Sequence, residues 1–316
     1  MRTIVFSGGG NRGPLQVGAV RALLERDILP EMIVGCSAGA LNAAFIAKEL
    51  SLDRLDELAQ VWLGTTRENI YPGNRMSTLW RIMTGKDSFF DNANFYAFLQ
   101  HTGTTPALTF DSVTAAKLYI TATDLATGNL HVFGDDGGDR VLDALMASTA
   151  LPPMHPPWEV DRRRFIDGGT VTPLPLRVAL ERGATEIYAL HLQDLNQGEK
   201  NLVQGVMSVT GRSVSTMLRL QADHDLHLIE SYPKVKLHYV RLGLPDPPGD
   251  VDFSQAQRMM DAGYATMTDY LDHSPGAVRD DVPAGASVFT TLGNRLRRRW
   301  ARSRSIGETS EPLLPT

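Results

Sequence analysis

The amino-acid sequence predicts a three-layer α/β/α fold, with helices on both faces of a mostly parallel central sheet. Short apolar runs of strand length alternate with segments of helical apolar spacing as far as about residue 273. The first two strand-like runs each pass through a glycine-bearing turn into a helical pattern, the layout of parallel strand-helix units. The chain has 316 residues, 42% of them hydrophobic, which is enough to bury a substantial core.

Residues 3–6 (TIVF) read as a buried strand, and Leu15, Val17, Ala19, Val20, Leu23 and Leu24 continue as a helix as far as Arg26 and Asp27. Residues 32–34 form a second strand and 38–50, rich in Ala and Leu, a second helix. Strands follow at 117–123 and 130–133, flanking the turn at 125–128. The order continues with a helix at 140–149, a short strand at 164–166 and a helix at 174–181 closed by Gly183. The remaining elements are a strand at 186–192, a long or broken helix over 202–229, a strand at 235–240 and an amphipathic helix over 254–271. No linker and no repeat of 20 to 50 residues interrupts this alternation, so residues 1–273 are expected to form one domain.

Residues 67–109 are poor in strand signal and hold Trp80, Phe89, Phe90, Phe95, Tyr96 and Phe98, a pattern that fits an inserted helical cap or lid. Beyond Ser274 the composition shifts to Pro, Gly, Ser and charge. Residues 274–316, with Arg295, Arg297, Arg298, Arg299, Arg302 and Arg304, read as a disordered tail. The formal net charge of -5 gives no global attraction to nucleic acid. Cys36 is the only cysteine, so no intramolecular disulfide forms, in keeping with a reducing compartment. No basic and then apolar leader opens the sequence, and the longest uncharged stretch, 32–47, is too short to span a bilayer. A cytoplasmic protein that touches membranes peripherally is expected.

Three motifs carry chemistry. The first, GGGNRG at Gly8, Gly9, Gly10, Asn11, Arg12 and Gly13, lies between a strand and a helix, where backbone N–H groups stand ready for negative charge. As a dinucleotide loop it lacks an acidic residue at the end of the second strand, because Gly35-Cys36-Ser37 stands there and Asp27 comes too early. As a P-loop it lacks the Lys-Ser or Lys-Thr after Gly13.

The second motif, Gly35, Cys36, Ser37, Ala38 and Gly39, is a G-x-S-x-G between a strand and a helix. Such an elbow holds a serine in a strained backbone and needs tiny residues two before and two after it. The bland alternative makes Ser37 a helix cap. The third motif, Asp167, Gly168 and Gly169, follows the apolar pair Phe165-Ile166, which fixes the carboxylate. The same triplet at Asp136, Gly137 and Gly138 has no such strand before it and reads as a surface turn.

In this order the three motifs resemble the patatin-like phospholipase family over most of residues 1–273, and so do the stretches 121–128 (TATDLATG), 147–153 (ASTALPP) and 169–175 (GTVTPLP). His155 stands where many relatives are apolar or aromatic. The resemblance implies a patatin-like fold and a serine acyl hydrolase of phospholipase A or lysophospholipase type. Ser37 is then the nucleophile, Asp167 the base, and the glycine loop an oxyanion hole, with no metal and no cofactor. The partner is a lipid or small acyl-ester substrate. A Ser-His-Asp triad using His191, His224, His227 or His238 fits the motif order less well, since the first is a strand residue and the next two lie on one helix face. A non-catalytic lipid-binding or regulatory protein is the competing class.

Overall fold

The computed structural model describes residues 1–193 and 204–273. The expected tail from 274 onward and the start of the helix read at 202–229 lie outside them. Strand β1 (Arg2–Phe6) leads through a single 3-10 turn (Gly10–Arg12) into α1 (Gly13–Leu24); β2 (Met32–Cys36) then leads into α2 (Ala38–Ile46). The helix expected over 38–50 stops at Ile46, and a separate helix, α3 (Leu52–Gly64), follows. The Ser51 side chain starts it by accepting from Arg54 N, and Leu55, Leu58 and Trp62 recur on its buried face.

Residues 67–109 hold three short helices, α4 (Arg67–Ile70), α5 (Arg75–Met83) and α6 (Ala93–His101). Next come β3 (Lys117–Asp124), β4 (Leu130–Phe133), α7 (Val141–Ser148), β5 (Trp158–Val160) and β6 (Arg163–Asp167). The remaining elements are α8 (Leu176–Glu181), β7 (Glu186–Leu192), α9 (Val206–Leu228), β8 (Lys236–Leu242) and α10 (Ala256–His273). Strand β5 was not expected from sequence. Its hairpin to β6 turns on Asp161 and Arg162, both at positive φ (49° and 63°), without the Asn-Gly or Asp-Gly that marks such turns.

The eight strands form one sheet in which β3, β2, β1, β7 and β8 run parallel as successive neighbours, while β4, β5 and β6 are antiparallel additions at the β3 side. Strand residues alternate between its faces. Ile4, Phe6 and Ile33 join the core cluster of α1, α2 and α3, with Met259, Met260 and Met267 of α10. Val5, Met32 and Val34 point the other way, where α8 covers β1 and β2 and is backed by α9. Helices α1 and α10 cross so closely that a Cβ on Gly18 would lie 1.9 Å from Met260 O and one on Gly263 1.9 Å from Leu15 O.

The register of β3 positions the site. Ile120–Thr123 pairs with β4 along one edge, so the other edge is shared by β2, paired along 117–121, and β6, paired along 122–124. Cys36 faces Thr121 and Asp167 faces Ala122, so the C-terminal ends of β2 and β6 meet head to head on adjacent residues of β3. Among the described residues no helix is long and apolar enough to cross a membrane.

Candidate active site

Ser37 sits at the turn from β2 into α2 with φ 53° and ψ −126°, a conformation that L residues adopt only under constraint, at a cost on the order of 1 to 3 kcal/mol. The constraint comes from neighbours with no room to spare. A Cβ on Gly35 would lie 2.7 Å from Ala40 Cα, and one on Gly39 2.5 Å from Ser7 O. Cys36 closes the strand and Ala38 opens the helix, both buried. The Ser37 amide donates to Ser148 Oγ at 2.8 Å, which ties the elbow to the end of α7. The Ser37 side chain makes no capping bond to α2, so its hydroxyl is available for another partner.

That partner is Asp167, 130 residues away, whose Oδ2 accepts from Ser37 Oγ at 2.6 Å. Its second oxygen, Oδ1, accepts from the Gly169 amide at 2.7 Å and faces the Cys36 thiol at 3.9 Å. Gly168 passes against β3 where a Cβ would lie 2.4 Å from Thr121 O, so the sharp turn after Asp167 depends on this glycine. With Asp167 only 2% exposed, burial raises its carboxyl from the ordinary 3.8 to about 6, although the bonds from Ser37 and Gly169 pull in the opposite direction. Near pH 7 it is ionised in about ten molecules for each protonated one. Burial and the Asp167 charge together push the Cys36 thiol well above its usual range, so it stays neutral.

The glycine loop runs beside this pair. Gly10 adopts φ +59°, a Cβ on Gly9 would collide with Leu192 at 2.5 Å, and one on Gly8 would lie 3.2 Å from Ser37 Cβ. Of the six residues expected to form an oxyanion hole, three have committed amides: Gly8 N donates to Pro173 O, Arg12 N to Gly9 O and Gly13 N to Gly10 O. The opening amides of a helical turn have no acceptor within it, which narrows the candidate donors to Gly9, Gly10 and Asn11. The Asn11 side chain is engaged elsewhere, donating to Gly249 O and Asp252 O at 2.8 and 2.6 Å, and Arg12 Nε donates to Gly9 O.

Several supporting groups were not visible as such in the sequence. Gln16 Nε2 donates to Ser7 O and Leu190 O, while Asn42 Nδ2 donates to Gly13 O and Gln16 Oε1. Trp62 Nε1 completes this buried chain by donating to Asn42 Oδ1, so both ends of the glycine loop are fastened to the helix layer. Thr172, just past the Asp-Gly-Gly turn, donates to Asp225 Oδ2 of α9 at 2.6 Å, and burial raises the Asp225 carboxyl to about 6. Tyr71 stacks on His155 at 5.2 Å beside Phe90 at 5.5 Å. Burial first, then the charges of Asp167 and Asp250, push its hydroxyl up to about 12. Apart from Thr172, which lies in the 169–175 stretch, none of these residues belongs to a local motif; each acts through partners elsewhere in the chain.

Among the described residues no histidine hydrogen-bonds Ser37 or Asp167. Buried His191 contacts Tyr239 Oη at 2.8 Å, and burial lowers it to about 3, so it is neutral. His238 contacts Glu186 and Tyr270, while His224 and His227 are exposed on α9. His155 lies between Tyr71 and Phe95, with Nε2 2.7 Å from Ile70 O.

A hydroxyl on a strained strand-turn-helix elbow, a buried carboxylate beside it and a glycine loop alongside, at the C-terminal ends of β1, β2 and β6, define the class. The chain belongs to the patatin-like phospholipase family, whose model matches residues 4–180. Among curated proteins it is 29% identical over 193 residues to mouse patatin-like phospholipase domain-containing protein 7, covering 59% of this chain and 13% of that one. It is 27% identical over 197 residues to neuropathy target esterase sws of Drosophila melanogaster, covering 59% of this chain and 12% of the relative. It is 26% identical over 194 residues to lysophospholipase NTE1 of Saccharomyces cerevisiae, covering 59% and 10%. The chain thus spans only about a tenth of the length of these relatives. Similar solved structures include VipD from Legionella pneumophila (14% identity, TM-score 0.45, 86% of this chain and 66% of that one). The type III effector protein ExoU is also among them (17% identity, TM-score 0.37, 86% and 52%).

Proposed function

We propose that the protein hydrolyses carboxylic esters of lipids, of the phospholipid or lysophospholipid kind, through a Ser37–Asp167 dyad. The observation that carries this reading is the 2.6 Å hydrogen bond from Ser37 Oγ to a buried carboxylate whose basicity burial has raised. Asp167 takes the Ser37 proton as Oγ bonds to the ester carbonyl carbon, and the carbonyl electron pair moves onto oxygen. The amides of Gly9, Gly10 and Asn11 stabilise that oxyanion, where each such donor is worth about 10² to 10³ in rate. Collapse of the intermediate breaks the ester C–O bond, and Asp167 returns its proton to the departing alcohol. A water molecule, deprotonated by Asp167, then attacks the acyl-enzyme; the fatty acid leaves and the proton ends on Ser37 Oγ.

The Asp167 Oδ1 bond from Gly169 keeps Oδ2 aimed at the serine throughout. The test is a panel of phospholipids, lysophospholipids and glycerides with products identified by mass, run on the wild type, Ser37→Ala and Asp167→Asn. The reading expects at least one lipid to be cleaved by the wild type and by neither variant, and expects a fluorophosphonate probe to label Ser37. Full activity in either variant overturns it.

A further inference from the structure

Helix α5 (Arg75–Met83) buries no residue of its own. Met76, Leu79, Trp80 and Met83 occupy positions i, i+3, i+4 and i+7 and form one apolar stripe, with Ile82 beside it. They are 74%, 52%, 60% and 78% exposed, so the stripe faces solvent along its whole length. A soluble domain has no reason of stability to display such a surface. Its charge is as one-sided as its apolarity. Between Glu68 and Asp87 the chain holds Arg75, Arg81 and Lys86 and not one carboxylate, in a protein whose net charge is -5. The flanking acids are occupied elsewhere: Glu68 accepts from Gly73 N, and Asp87 pairs with Arg164 at 2.5 Å. Arg75 and Lys86 are exposed, while Arg81 holds the helix to the returning chain through Ser88 O and Oγ and pairs with Asp91 at 3.8 Å.

The excursion that carries α5 is fastened at its base. On the way out, Ile70 O contacts His155 Nε2 at 2.7 Å; on the way back, Phe89 N and Phe90 N donate to Pro153 O and Met154 O at 2.8 and 3.0 Å. Both anchor points belong to the loop that follows α7, whose Ser148 holds the Ser37 amide. We propose that α5 is an interfacial anchor that lays its Met76, Leu79, Trp80 and Met83 stripe into an anionic lipid surface, with Arg75 and Lys86 at the headgroups. Amphipathic helices with a basic rim and a tryptophan bind membranes in this way. A second copy of the chain is the poorer occupant, because a twofold pairing of this face would set the exposed Arg75 and Lys86 of one copy against those of the other. The anchor serves the lipid-hydrolase reading above, and its test reads binding alone, so the two fail separately.

The experiment is co-sedimentation of the full chain, carrying Ser37→Ala so that no hydrolysis alters the lipid, with phosphatidylcholine vesicles with and without phosphatidylglycerol. Binding is expected to require phosphatidylglycerol and to weaken with added salt. It is expected to fall about tenfold or more in Leu79→Asp/Met83→Asp, whose exposed positions leave the melting temperature unchanged. Trp80 emission is expected to shift to the blue on binding, and Trp80→Phe to remove most of that shift. Met217→Asp, on an exposed apolar position of α9, is expected to bind as before. Equal binding to pure phosphatidylcholine, undiminished binding in the double variant, loss in Met217→Asp in its place, or a dimer that needs Leu79 and Met83 while vesicles are ignored would each overturn the proposal.

Discussion

Asp167 is held in a state that disfavours the folded protein and, on the proposed function, favours chemistry. Its folded carboxyl lies near 6 against an ordinary 3.8, so its contribution to stability is fully present below about pH 4 and is lost as pH rises through 6. Asp167→Asn is therefore expected to be inactive yet more stable at pH 8, by on the order of 2 to 3 kcal/mol, with the difference vanishing near pH 4 in denaturant titrations. The same shift predicts that kcat/KM on a lipid ester falls about tenfold per pH unit below 6, as the base is protonated. Ser148→Ala leaves the partly buried Ser37 amide without its acceptor; a loss of about 1 kcal/mol in stability is expected, together with a lower kcat. Ser37, Asp167 and the glycines around them were legible because each sits in a local pattern whose residue types the backbone geometry requires. Tyr71 and the Gln16–Asn42–Trp62 chain were not, and Ser148, though inside the family-like stretch 147–153, had no visible role, since a hydroxyl, a phenol or an amide declares none until folding supplies its partner.

Element boundaries followed the sequence where one force acted alone. The strands at 3–6, 32–34 and 186–192 were readable because burial on both faces favours short runs that are mostly apolar. The break between α2 and α3 was not read, although Ser51 followed by Leu55 and Leu58 is a start signal, because the alanine-rich run before it has high helix propensity and hides the stop. Propensity also says nothing of close helix contact. Gly18 and Gly263 look like weak points in α1 and α10, yet each faces the backbone of the other helix at a distance where no methyl fits. Gly18→Ala and Gly263→Ala are each expected to lower stability by about 1 to 3 kcal/mol, or several degrees in a thermal melt, despite improving intrinsic helicity.

The fold class was evident from alternation alone, but the strand order was not, since it is set by which faces close best after all the strands exist. The decisive arrangement is the meeting of β2 and β6 along one edge of β3, because it replaces a 130-residue separation by a single step of register. One strand thus works as a ruler for the Ser37–Asp167 pair, and the spacing of the proposed nucleophile and base is engraved in its residue count. Adding one residue between Thr121 and Ala122 is expected to slide the two tips about 3.3 Å apart, enough to break an oxygen pair now in contact while leaving every catalytic side chain present. A chain lengthened there is expected to still bind lipid surfaces, but its Ser37 hydroxyl is expected no longer to react with a fluorophosphonate; on the proposed function, reactivity is set by the length of a strand.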